Sequence, residues 1–180
     1  GVCAFIGQFG EGVITDWATV FLNSELSSGP TMAAVGFAIY SFAMAATRLS
    51  GDALVTRFGR VNVLLTSSVL ASLGTFIITF APHYMVAWIG CGVAGMGLAV
   101  ILPLLLSAAS KATGKGGGSV VSTIAATGYS AIMAGPPVIG AIGEVAGLVT
   151  AFAFTATFLG MIIPVYLLTM RGRLQIAGNG

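Results

Sequence analysis

The residues with most chemical potential are two acids in the first apolar run, Glu11 and Asp16. Gln8, Glu11, Thr15 and Thr19 recur at steps of three or four, so on a helix they form one polar stripe. Asp16 lies five residues after Glu11, about 140° further round a 3.6-residue turn. The two carboxyls therefore do not share a face, although both can border one wide cavity. No lysine or arginine partner is expected for either acid inside the apolar spans. An unpaired carboxyl in a low dielectric can hold a proton, because desolvation disfavours its charge, or it can pair with a cation. Both outcomes suit ion-coupled transport, and ionisable groups buried in an apolar span are by default functional. The alternative is a structural acid bonded to helix ends or water. A second polar stripe, Thr123, Thr127 and Ser130, brings Tyr129 with it. A tyrosine can stack on a ligand and orient it through its hydroxyl. Serine and threonine can instead bond to their own helix. Tyr40 is a weaker candidate of the same kind.

These groups must be positioned by helices in a membrane. Apolar residues make up 57% of the 180-residue chain and charged residues only 7%. A soluble domain carries about a quarter charged residues, so the composition excludes a water-soluble globule. It equally excludes disorder, which needs high charge and low hydrophobicity. A net charge of +2 gives no reason to expect a nucleic-acid partner. Residues 26–47, 61–110, 116–143 and 145–170 carry no Lys, Arg, Asp or Glu. A bilayer-spanning helix needs about 20 mostly apolar residues. With Ala81-Pro82-His83-Tyr84 dividing the longest run, six spans are predicted: 1–22, 30–49, 61–80, 85–107, 119–142 and 148–170, with a tail over 171–180. The runs are twice the length of a barrel strand and do not alternate, which favours helices. Pro30 suits a helix start, and Gly114 to Gly118 form a flexible link.

Basic residues set the orientation. Arg48, Arg57 and Arg60 flank the second connection, Lys111 and Lys115 the fourth, and Arg171 and Arg173 follow the last span. Six spans place all of them on one side, so both ends are expected to be cytoplasmic. The opposite side holds Glu25, His83 and Glu144. Tyr84 and Trp88 fall where an outer aromatic belt is expected. Gly1 opens inside an apolar run, as expected of a piece of a longer chain.

Enzymatic signatures are absent: the sequence has no H-E-x-x-H, no G-x-S-x-G and no paired-cysteine metal site. Gly114-Lys115-Gly116 lacks the hydroxyl residue of a phosphate-binding loop. Neither an enzyme nor a bound cofactor or metal is expected. Gly90, Gly92, Gly95 and Gly97 give the fourth span a smooth face for close helix approach. Gly135-Pro136-Pro137 is expected to interrupt the fifth, either as a gate or as a static kink.

The stretch from Arg48 to Arg60 resembles the cytoplasmic loop motif of the major facilitator superfamily. Arg57, Gly59 and Arg60 match that motif. Thr56 sits in its Asp slot, and Asp52 stands where the motif has Gly, with Gly51 just before it. Gly135, Pro136, Pro137 and Gly140 resemble the Gly-Pro motif on the fifth helix of a half. Glu11-Gly12 with Asp16-Trp17 resembles the seventh helix of a bacterial branch near the fucose-permease-like carriers. The resemblance implies an all-α membrane protein: a six-transmembrane-helix bundle forming one half, the C-terminal one, of a major-facilitator fold.

It further implies a secondary active transporter working by alternating access in a bacterial inner membrane. The partners expected are a small-molecule substrate, the lipid bilayer, a missing N-terminal six-helix half, and protons. Glu11 is then the proton or cation carrier, and Gln8, Asp16 and Tyr129 are cavity contacts. The competing readings are a stand-alone six-helix channel, a homodimeric carrier, and a non-transporting scaffold.

Overall fold

The computed structural model describes residues 1–113 and 117–169. Lys115, Arg171, Arg173 and the tail 171–180 lie outside the described residues. Helix α1 spans Val2–Ser24, α2 Gly29–Phe58, α3 Arg60–Thr79, α4 Tyr84–Leu98, α5 Ile101–Thr113, α6 Gly118–Ala146 and α7 Leu148–Gly160. Helical backbone resumes over 162–169, and no strand occurs among the described residues. Taking α4 with α5, and α7 with 162–169, gives six rods. Four stretches, 29–58, 60–79, 84–112 and 148–169, are long and apolar enough to cross a membrane. The other two rods, α1 and α6, are 23 and 29 residues long and carry the polar stripes.

Helix α2 runs nine residues past its predicted end. Nothing in Arg48–Phe58 stops a helix, because a lone glycine costs only about 1 kcal/mol. The stretch read as a loop is therefore helical, with Gly51, Asp52 and Arg57 on α2, and the connection to α3 is Gly59 alone. Its φ of +80° with ψ of 149° is a conformation that other residues rarely adopt. Arg48 is thus not at a loop. It lies ten residues inside the helix end, about 15 Å at 1.5 Å per residue.

Two predicted rods are broken where prolines sit. Pro103 has no N–H to offer the carbonyl of Ala99 four residues earlier, and the fourth rod breaks at Ala99–Val100. Pro164 stands in the same relation to Gly160, where α7 ends. By contrast α6 continues through Pro136 and Pro137. The expected interruption there is replaced by two carbonyls, of Ile132 and Met133, that lack helical donors.

Helix α1 occupies the middle, packed by α2, α4, α5, α6 and α7. Around it run α2, α4, α3, α7 and α6, each against the next. Leu22 and Ile14 of α1 and Ile78 of α3 are fully buried, and Phe21 meets Phe152 of α7 with ring centroids 4.4 Å apart. The glycine face of α4 does bring backbones together. A Cβ on Gly90 would lie 2.8 Å from the Gly74 carbonyl, and Gly97 meets the backbone of Ala71. Ser72 Oγ donates to the Ala156 carbonyl at 2.7 Å, tying α3 to α7. Ser68, Thr75 and Thr79 donate to carbonyls of their own helix.

The ends of the rods agree with an even number of crossings. Arg60, at the start of α3, donates through Nη2 to Ser107 Oγ on α5 at 3.4 Å. The α2–α3 junction and the end of α5 with Lys111 are therefore at one end of the bundle. At the other end, His83 caps α4 by accepting from the Met85 N–H, and Trp88 Nε1 donates to the Met32 carbonyl of α2 at 2.9 Å.

Candidate functional site

The site is built on α1. On one flank, α6 lies so close that a Cβ on Gly12 would sit 2.9 Å from the Ile132 carbonyl, one of those Pro136 leaves without a donor. Gly135 meets the Phe9 carbonyl, and Gly140 receives the Trp17 ring. The Gly-Pro segment is thus the contact surface between α6 and α1. Gln8 of α1 is 3% exposed and packs on Gly128 of α6.

On the other flank stands α2. Arg48 Nη2 donates to Glu11 Oε1 at 2.9 Å, an ion pair with side chains 47% and 18% exposed. This corrects the expectation that no basic side chain reaches either acid. That expectation placed Arg48 at a loop, whereas the longer α2 carries it beside α1. Arg48 Nε also donates to the Ala99 carbonyl at 3.1 Å. Pro103 removes the N–H that this carbonyl would otherwise accept. One guanidinium, with its donors in a fixed fork, therefore serves an acid on α1 and the broken joint between α4 and α5.

Beneath this pair lies Tyr40 of α2. It is buried, and Glu11, Thr15, Arg48 and Cys91 are among the groups around its hydroxyl. Beyond Arg48 opens a groove of about 390 Å³ between α2, α3 and α5, bordered by Arg48, Asp52, Arg60, Pro103, Ser107 and Lys111. Asp52 is exposed one turn beyond Arg48, and Arg57 stacks its guanidinium over the neighbouring Phe58 ring at 5.3 Å.

The remaining candidates are more dispersed. Thr15 and Asp16 are exposed on α1. Tyr129 is 61% exposed on α6. Thr123, Thr127 and Ser130 donate to their own helix carbonyls at 2.7–2.9 Å, the bland alternative for that stripe. Sequence reasoning singled out Glu11 but missed its partner and Pro103. The signal for the latter was the four-residue offset from Ala99 to a proline in a charge-free run. No group of three or more potential metal ligands occurs among the described residues.

A central helix bearing a membrane carboxylate, flanked by a proline-broken rod and a glycine-proline rod, defines a polytopic helix bundle. The family profile of the Major Facilitator Superfamily matches residues 1–176, and the chain belongs to that family. It is 35% identical over 159 residues to an uncharacterised MFS-type transporter of Yersinia pestis, covering 88% of this chain and 41% of that protein. It is 30% identical over 162 residues to an uncharacterised transporter of Sinorhizobium fredii, covering 90% and 43%. Identity to the membrane protein MosC of Rhizobium meliloti is 27% over 154 residues, covering 86% and 38%. The chain thus spans about two fifths of the length of these relatives. It is a multi-pass membrane protein of a transporter family and not an enzyme.

Proposed function

We propose that this bundle is the C-terminal half of a secondary active transporter that moves a small solute by alternating access, coupled to protons through Glu11. The observation that carries the reading is the Glu11–Arg48 pair on the central helix. A carboxylate held by one cation can exchange that cation for a proton or a charged solute without leaving a bare buried charge. Alternating access needs such contacts, which hold in one state and break in the other. Gln8, Asp16 and Tyr129 are the proposed cavity contacts, with Asp16 exposed on α1 itself and Tyr129 exposed on the neighbouring α6. The span of about two fifths of each relative supports a partner half elsewhere in the protein. The Glu11-Gly12 and Asp16-Trp17 pattern supports the fucose-permease-like branch. The basic groups grouped at one end of the bundle support insertion in a bacterial inner membrane with both ends of the chain cytoplasmic.

The test is flux by the full-length protein in proteoliposomes loaded with a pH-sensitive dye and challenged with a panel of small solutes. Parent protein acidifies or alkalinises the lumen when its solute is added, and Glu11→Gln abolishes the proton signal. A proton signal of parental size in Glu11→Gln removes the coupling role. Flux by the isolated bundle alone overturns the half-transporter reading in favour of a channel or a homodimeric carrier.

A further inference from the structure

Arg48 does more than neutralise an acid. Three observations meet on it. Its Nη2 holds Glu11 at 2.9 Å, and its Nε holds the Ala99 carbonyl at 3.1 Å, the acceptor that Pro103 deprives of a helical donor. The groove of about 390 Å³ beside it has Asp52 on its wall, one turn further along α2. Residues four apart on a helix are neighbours, so Asp52 is within reach of the same guanidinium. Asp52 has no ion pair among the described residues, which leaves its carboxylate free to receive one.

Resting on the proton-carrier reading of Glu11, we propose that Arg48 is a two-position switch. It binds Glu11 and the Ala99 carbonyl while Glu11 is charged, and moves to Asp52 when Glu11 is neutral, releasing the α4–α5 joint. Arginine keeps its own charge throughout. The proton goes to the Glu11 carboxylate, and the guanidinium follows the remaining negative charge. Both partners are charged in the bond to Glu11 and only the donor is charged in the bond to the Ala99 carbonyl, so neutralising Glu11 removes the stronger of the two anchors.

The titratable groups on the packed elements are few. Besides Glu11, helix α1 contributes Cys3 and Asp16, and α2 contributes Tyr40, Arg48, Asp52 and Arg57. Helices α4 and α5 contribute Tyr84, Cys91 and Lys111, and α6 contributes Tyr129 and Glu144; none occurs in Leu148–Gly160 of α7. Among these, Arg48 is the group that bonds to Glu11. Arg60 of α3 and Lys111 of α5 also line the groove with Asp52, and neither is paired with Glu11.

The switch is read by amide hydrogen exchange over residues 99–104 of the full-length protein, from pH 5 to pH 8. Exchange is scored as a ratio to segment 63–79 of α3 in the same sample, which cancels the intrinsic pH dependence. In the parent, the ratio rises about tenfold as Glu11 takes up its proton, the effect of losing one charge-assisted anchor. Glu11→Gln is fast at every pH. Asp52→Asn shifts the rise to lower pH, because the guanidinium has lost its second station. Arg48→Lys, with one ammonium in place of a fork, gives fast exchange throughout.

A slow, parent-like ratio in Glu11→Gln, or a parental transition in Asp52→Asn, overturns the switch. Equal loosening of both segments in the variants overturns it as well, since the coupling must be local to the joint. Retained proton coupling in Glu11→Gln defeats the proton-carrier reading. Lost coupling with a parent-like exchange ratio defeats the switch alone.

Discussion

Arg48 and Glu11, thirty-seven residues apart in the chain, meet at 2.9 Å between the second helix and the first. The pair is partly exposed, so its net worth is modest, and most of its effect lies in which groups it leaves unpaired when broken.

Glu11→Gln and Arg48→Gln should each lower the stability of the full-length protein by about 1 kcal/mol. The double variant should cost no more than the worse single one, because the second change removes the charge that the first left alone. Thermal unfolding in detergent, analysed as a double-mutant cycle, measures the coupling. Strictly additive effects would mean that the two side chains do not interact in solution.

Pro103→Ala returns an N–H to the Ala99 carbonyl and competes with Arg48 Nε for it. The variant should be more stable by about 1 kcal/mol, as when a helix interior regains a bond, yet transport more slowly. A raised unfolding midpoint together with several-fold slower flux is the expected pair of results. A rise in flux would show that the break does not take part in the cycle.

Gly12→Ala and Gly118→Ala make a matched contrast. A Cβ at position 12 meets the Ile132 carbonyl at 2.9 Å, whereas one at position 118 meets nothing within 4 Å. The first should cost about 1–3 kcal/mol through forced separation of α1 and α6. The second should be neutral or stabilise by up to about 1 kcal/mol, the helix preference of alanine over glycine. Equal unfolding midpoints for the two variants would contradict the close approach.

The topology can be mapped with introduced thiols. Cys91 is buried and Cys3 half-buried, so both can be replaced to leave a silent background. Glu25→Cys should react with a membrane-impermeant maleimide added to intact cells. Arg57→Cys and Lys111→Cys, both exposed at the opposite end of the bundle, should react only after permeabilisation. Reaction at position 57 from outside would invert the assignment of sides.

Much of this architecture is legible in the sequence because a bilayer leaves so few options. Charge-free runs of helix length locate the rods, and the glycines at 90, 95 and 97 foretell backbone contact, since only a missing side chain permits it. Glu11 stands out because a carboxyl in an apolar run needs a reason. What stays hidden depends on where rods end and how they face one another. Arg48 reads as a loop flanker because basic residues usually mark the membrane border, and only the three-dimensional length of α2 carries it inward. Pro103 and Pro136 look alike in sequence. One breaks its rod and the other does not, and what differs is the neighbour each carbonyl finds: a guanidinium at Ala99, and the glycine-lined face of α1 at Ile132. Asp16 and Tyr129 are visible as polar groups, but periodicity cannot say whether they look into a cavity.

The glycine contacts between α3 and α4 have a mechanical consequence. Where main chain lies on main chain, no flexible side chains remain to reshuffle, so these two rods behave as a single stiff plank. Bending is left to places with slack: the one-residue swivel at Gly59 and the joint at Ala99–Val100. Any shape change in the bundle is therefore taken up at these two joints rather than within the α3–α4 contact.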